Sequence, residues 1–297
     1  MKTPQSVTTD HPGLPSWINP NLYPFQTHRH ALPMGTMHYV DEGAGAPLVM
    51  VHGNPTWSFV YRKLITGLRD RYRCIAPDHI GFGQSDKPED WSYLPADHAA
   101  NLANLLDSLD LHDITLVVQD WGGPIGLSYA IANPHRIRQL VILNTWMWPV
   151  NDDWYYQAFS GFMGGLVGRT LIRQMNLFAR AVVPMAYGDR KKLTREIHRH
   201  YLDGLPTPAS RKGSWVFPQQ IIGSTTWLQS LWEQRERITG IPVLFAWGMK
   251  DIAFREKELR RWQGVFPDGK VVTYPDAGHY VQEEKGDEIV ALIRGLR

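Results

Sequence analysis

The stretch Asp113-Ile114-Thr115-Leu116-Val117-Val118-Gln119-Asp120-Trp121-Gly122-Gly123-Pro124 decides how the chain folds. Ile114 to Val118 is short, apolar and rich in β-branched residues, the pattern of a buried strand. Ile125 to Ala132 reads as a helix stopped by Asn133-Pro134, with Pro124 tolerable in its first turn. Asp120 therefore sits on the tight bend between a buried strand and a helix. Asp often caps helices, and capping alone would account for an acid there. The same bend also lifts one side chain above the sheet. A helix N-terminus beneath it favours negative charge, so Asp120 is expected to be ionised and placed to attack.

Working outward, Phe25 to Ala31 and Thr36 to Val40 read as opening strands, Leu48 to Val51 as a short buried strand, and Ser58 to Leu68 as a helix. Tyr72 to Ala76 is a strand, Ala96 to Leu109 a helix, and Gln139 to Leu143 a further strand. Alternating strands and helices with short links imply an α/β fold with a mostly parallel sheet flanked by helices. The rhythm breaks near Trp146-Met147-Trp148-Pro149. From there to about Thr226 the pattern is helical, before Val243 to Ala246 and Lys270 to Tyr274 restore strands. The expected organisation is a main domain of residues 1–147 and 227–297. A helical cap, 148–226, is inserted over the sheet edge where open α/β sheets bind ligands.

Composition narrows the function. The 297 residues carry a formal net charge of +2, with Lys and Arg scattered, so neither nucleic acid nor an acidic membrane surface is expected as a partner. No apolar run approaches a membrane span, and Met1 to Pro15 lacks the apolar core of a secretory signal. The single cysteine, Cys74, excludes an internal disulfide and suits a reducing, cytoplasmic setting. Twelve tryptophans supply rigid aromatic walls for an apolar pocket.

A strand-to-helix bend bearing a nucleophile is the elbow of α/β-hydrolases, whose triads run nucleophile, acid, histidine along the chain, each at a strand end. Asp251 follows the strand around Val243 to Ala246. His279 follows the last strand and is the only one of 12 histidines to follow a strand lying after the elbow. Asp120, Asp251 and His279 are thus the expected catalytic set. His52-Gly53-Asn54-Pro55 follows the third strand, where this fold places a second oxyanion-hole N–H. The Asn54 amide and the Trp121 indole N–H are neutral donors beside the carboxylate, suited to a soft anion leaving carbon. His198-Arg199-His200 has too little around it for a metal site, and residues two apart on a helix do not face one another, so no metal is expected.

Along nearly its whole length the chain resembles the haloalkane dehalogenases. The matching stretches are His52-Gly53-Asn54-Pro55-Thr56, Pro77-Asp78-His79-Ile80-Gly81-Phe82-Gly83-Gln84-Ser85-Asp86, Gln119-Asp120-Trp121-Gly122-Gly123, Trp247-Gly248-Met249-Lys250-Asp251 and Gly278-His279. The resemblance implies a nucleophilic Asp120, a basic His279 and an acid partner Asp251, since Leu143-Asn144-Thr145 offers no carboxylate after the sixth strand. It implies halide binding by Asn54 and Trp121, whose backbone N–H groups form the oxyanion hole. That pairing marks a group whose members sometimes self-associate. Phe217-Pro218 matches an aromatic-proline pair of family lids, implying pocket residues. Val118 departs from the glycine usual two residues before a serine nucleophile. The expected substrates are a small halogenated hydrocarbon and water, releasing halide, with no cofactor. Epoxide hydrolases, which use lid tyrosines such as Tyr155, Tyr156, Tyr187 or Tyr201, are the alternative. A receptor or luciferase-like descendant stands behind them.

Overall fold

The computed structural model describes residues 14–296; the segment read as lacking a secretory signal lies almost wholly outside them. Eight strands form one sheet: β1 (His28–Leu32), β2 (Gly35–Glu42), β3 (Ala46–Val51), β4 (Tyr72–Pro77), β5 (Ile114–Val118), β6 (Ile137–Ile142), β7 (Val243–Gly248) and β8 (Lys270–Tyr274). Their order is β1-β2-β4-β3-β5-β6-β7-β8. β2 is antiparallel to β1 and β4, and every other pair is parallel. Parallel strands buried on both faces need apolar residues throughout, and β5 and β7 are buried at every position.

The order reverses between β3 and β5, because β3 leads to β4 on one side while β5 and its successors build on the other. Such a switch point opens a crevice beyond the carboxyl ends of the strands. Register brings the crevice together: Val51 pairs with Val118, Val118 with Ile142, Ile142 with Phe245, and Gly248 with Tyr274. The loops after β3, β5, β7 and β8 therefore leave from one edge.

Helices α1 (Arg62–Leu68), α2 (Pro95–Ser108) and α3 (Gly122–Ala132) interleave with the first strands. Between β6 and β7 come α4 (Trp154–Gly164), α5 (Leu166–Met175), a π-helical turn Phe178–Val182, α6 (Val183–Ala186), α7 (Arg195–Asp203), α8 (Lys212–Gly223) and α9 (Thr225–Glu233). The helical run thus continues past residue 226. The chain closes with α10 (Glu256–Val265), α11 (Val281–Glu284) and α12 (Gly286–Arg294).

Two local expectations shift. β1 starts at His28 rather than Phe25, because pairing with β2 begins at His28–Tyr39. Tyr23 and Phe25 instead pack edge-to-face in the core, 4.8 Å apart. The helix expected over Ser58 to Leu68 opens as a 3₁₀ turn, Ser58–Tyr61, whose first N–H donates to the Asp78 carboxylate at 2.7 Å. Among the described residues no helix is long and apolar enough to cross a membrane.

Candidate active site

Asp120 is the residue after Gln119 at the end of β5, and it holds φ at +52°. Left-handed backbone strains a non-glycine residue and persists only when the surroundings impose it. They do so here. The Asp120 N–H donates to Asn144 O at 2.9 Å, and the Thr145 hydroxyl donates to Asp120 O at 2.5 Å. A Cβ on Gly53 would lie 2.2 Å from Asp120 Oδ1, so only glycine lets the β3 loop come this close.

That approach lets the Asn54 backbone N–H donate to Asp120 Oδ1 at 2.7 Å, with the Trp121 backbone N–H on the same carboxylate. Oδ2 lies 3.7 Å from His279 Nε2. Burial raises the Asp120 pKa above the ordinary carboxylate range, while His279 and the two backbone donors pull against it. The sequence reading had weighed only the favourable helix terminus; desolvation is the larger effect.

His279 follows β8 and is 5 % exposed. Its Nδ1 lies 2.9 Å from Asp251 Oδ2, while Asp251 Oδ1 accepts the Ala253 N–H at 2.6 Å. Burial lowers the imidazole pKa, but Asp251, its hydrogen bond and the nearby Asp120 carboxylate outweigh burial and leave it raised. The His279 loop is pinned by Glu284, which accepts the Gly278 N–H at 2.8 Å, and by the His279 N–H donating to Ala186 O at 2.8 Å. Asn144, standing where other arrangements carry an acid, is fully buried and clamps the Asp251 segment. Its amide donates to Gly248 O at 2.9 Å and Phe254 O at 3.3 Å, and its carbonyl accepts from Gly248 N–H at 2.8 Å.

Above these groups lies a cavity of ≈ 80 Å³, lined by Asn54, Asp120, Trp121 and His279 and otherwise mostly by apolar and aromatic side chains. The Asn54 amide reaches only Ser214 O, at 3.4 Å, and its Oδ1 is buried without a partner. Trp121 is wedged between Trp146, edge-on at 4.6 Å, and Phe217, stacked at 5.2 Å. Phe217 is therefore not a wall residue, contrary to its sequence reading: it backs the Trp121 ring and is wholly buried among Phe82, His98 and Trp121. The next residue, Pro218, does face the cavity.

Several contributors were missed. Trp146, Phe254 and Tyr280 line the cavity; Tyr280 directly follows His279 and Phe254 lies three residues past Asp251, and that nearness was the available signal for those two. Gln119 was quoted in a motif and given no role. Tyr155 and Tyr156 also line the wall, but their hydroxyls donate to Ile252 O and Ala253 O, both at 2.7 Å. The Tyr201 hydroxyl donates to Glu283, and Tyr187 is not among the wall residues. Among the described residues no group of three or more His, Cys, Asp or Glu is placed to hold a metal ion.

Residues 46–286 match the alpha/beta hydrolase fold family. Haloalkane dehalogenase 2 of Mycobacterium tuberculosis (strain ATCC 25618 / H37Rv) is 39% identical over 277 residues, 93% of this chain and 96% of that protein. The cis-3-alkyl-4-alkyloxetan-2-one decarboxylase of Shewanella oneidensis is 36% identical over 92% of this chain and 88% of its own length. Among solved structures, haloalkane dehalogenase DbeA from Bradyrhizobium elkani USDA94 superposes with a TM-score of 0.82 at 27% identity, covering 91% of this chain and 98% of that one. By sequence over nearly its full length, and by the fold that carries it, the chain belongs to the haloalkane dehalogenase family of α/β-hydrolases.

Proposed function

We propose that the protein hydrolyses carbon–halogen bonds in small haloalkanes, giving alcohol, halide and a proton. The observation that carries this reading is the Asp120 carboxylate: it is held by two backbone N–H groups, lines an apolar cavity and has a histidine beside its Oδ2. Oδ2 attacks the halogen-bearing carbon in line, the carbon–halogen bond breaks with its electron pair, and the halide leaves toward the Asn54 amide and Trp121 indole. Fixed donors in a dry pocket receive that charge without solvent reorganisation. His279 then takes a proton from water as its oxygen attacks the Asp120 ester carbonyl. The Asn54 and Trp121 backbone N–H groups, already on the carboxylate, hold the oxyanion. Asp251 fixes the Nδ1–H tautomer and stabilises the imidazolium. Collapse releases the alcohol and restores Asp120.

In this reading residues 148–226 are the cap whose aromatic side closes the cavity, with Pro218 on its wall. The buried, unpaired Cys74, its thiol pushed up to about 12 by burial, fits a cytoplasmic enzyme. Epoxide hydrolysis is disfavoured, because the wall phenols that would protonate an epoxide oxygen already donate to backbone carbonyls. A second reading is favoured by the decarboxylase relative: a cis-dialkyl oxetan-2-one, whose ring oxygen leaves carbon as a carboxylate, would meet the same donors.

The test is halide release from a panel containing 1-bromobutane, run beside carbon dioxide release from a cis-dialkyl oxetan-2-one, in ¹⁸O-water. Halide release with ¹⁸O entering Asp120 is the expected result. Carbon dioxide release without halide transfers the site to the second reading, and turnover without label at Asp120 ends the ester mechanism.

A further inference from the structure

Gln119 is fully buried beside the nucleophile. Its side-chain nitrogen lies 2.8 Å from His279 Nε2 and 3.2 Å from His279 O, while its own Oε1 is buried with no partner. His279 Nδ1 faces the Asp251 carboxylate at 2.9 Å, so that nitrogen carries the proton and Nε2 offers a lone pair. Two acceptors, the Nε2 lone pair and the His279 carbonyl, converge on one amide end of Gln119. That end is therefore the NH₂, since a carbonyl oxygen there would face His279 O.

We propose that Gln119 is a positioning residue for ester hydrolysis: its amide holds His279 in the basic, Nε2-unprotonated form until the attacking water takes that place. An Nε2–H imidazolium would point a donor at a donor, so this contact favours the neutral ring. It opposes the carboxylates of Asp251, Asp120 and Glu284, which favour the charged ring; Tyr280 and Phe254 complete the packing around it. Without Gln119 the acids around His279 would hold the base protonated further into the working range. In the hydrolytic step the water oxygen bonds the ester carbonyl carbon, one proton passes to Nε2, and the amide donor yields that position.

The inference rests on the ester mechanism proposed above, and its test separates the two. Gln119→Met keeps length and loses donor and acceptor; Gln119→Glu keeps the shape and favours imidazolium. Single-turnover reactions with 1-bromobutane should show the halide burst within about threefold of the parent. Ester hydrolysis should slow about tenfold or more in Gln119→Met and further in Gln119→Glu, with ester-bound Asp120 accumulating in the mass spectrum. The acid limb of hydrolysis should move up by about one pH unit in Gln119→Met, as expected when one hydrogen bond to the neutral form is lost. Burst and hydrolysis falling together with an unmoved acid limb would overturn the proposal. A readout independent of turnover is ¹⁵N-histidine NMR of the unsubstituted protein. Above the acid limb of activity, a neutral His279 with a hydrogen-bonded Nε2 and protonated Nδ1 is expected; an Nε2–H tautomer there refutes the role. Absence of any halide burst from the parent enzyme would sink the dehalogenase reading and leave the NMR result to decide on Gln119.

Discussion

Two aspartates, Asp78 and Asp120, sit just past strands of the sheet, each beside a histidine, and the chain treats them oppositely. Asp78, after β4, is 0 % exposed. Its Oδ1 accepts from Ser58 N–H at 2.7 Å, and its Oδ2 accepts from Gln84 N–H at 2.8 Å and lies 2.8 Å from His38 Nδ1. Burial alone would raise its pKa, but His38, His52 and the backbone donor overcome burial and pull it below the usual range. Asp120, after β5, has two backbone N–H donors on its carboxylate, while a histidine lies 3.7 Å from its Oδ2, too far for a hydrogen bond, and its pKa is raised. Residue type and a neighbouring histidine are shared; Asp120 is partly exposed at the cavity and has fewer donors. A saturated carboxylate ties down a loop, and one left half-satisfied keeps a reactive lone pair.

The comparison breaks most sharply under neutralisation. Asp120→Asn removes the attacking oxygen, and turnover should fall by ~10⁴-fold or more, roughly 5 kcal/mol of barrier. Its unfolding midpoint in urea should hold or rise, because a buried charge that favours protonation is replaced by a neutral isostere. Asp78→Asn should do the reverse. An amide facing three donors forfeits charge-assisted hydrogen bonds, and the fold should lose about 3–5 kcal/mol in the same urea titration. If both variants lost stability equally, donor saturation would not be what distinguishes the two acids.

That distinction was only partly legible in the sequence. The β5 strand, the elbow and the α/β order could be read because period, β-branching and helix stops are local signals. The meeting of Asn54, Asp120, Asp251 and His279 at one sheet edge followed from chain order and strand ends, without needing side-chain positions. The donor count around Asp78 could not be read: two of its three partners are the Ser58 backbone and His38, brought in from 20 and 40 residues away. Phe217 failed for a related reason. A helix in the cap shows a strip of apolar residues, and only its rotation decides that Pro218 faces the cavity while Phe217 stacks behind Trp121. Gln119 was invisible because its meaning depends on a histidine 160 positions later.

The histidines extend the same comparison to pH. Around Asp78, burial pushes His52 down to about 4 and also lowers His79 and His98. Such a group binds protons more readily in the unfolded chain. Its stabilisation is complete above the unfolded value near 6.5 and is lost as pH falls from there toward 4. For His52 alone that loss is roughly 3 kcal/mol. His279 is raised, so its contribution runs the other way: present below about 6.5 and lost as pH rises through its folded value. Its catalytic effect, however, needs the unprotonated ring. Activity should therefore fall on the acid side at a pH above ~6.5, before the fold weakens. Between the two limbs the protein should be folded and inactive, read by circular dichroism beside initial rates. Coincident limbs would mean the loss of activity is unfolding.

The smallest effect probes how Asn54 divides its work. Its backbone N–H touches Asp120 Oδ1, and its side chain reaches only a distant Ser214 carbonyl, leaving Oδ1 of the amide unpaired. Asn54→Ala keeps the backbone donor and deletes the side-chain donor. Alkylation should slow by ~10²-fold, about 2.7 kcal/mol, as for loss of one preorganised donor. Hydrolysis of the ester, which relies on the retained N–H, should stay within a factor of a few. Stability should not fall, since the deleted amide left a buried acceptor unsatisfied. Stopped-flow halide release against ester decay separates the steps. Equal slowing of both would show that the substitution moved the β3 loop. The backbone donor on Asp120, and not the amide, would then set the rate.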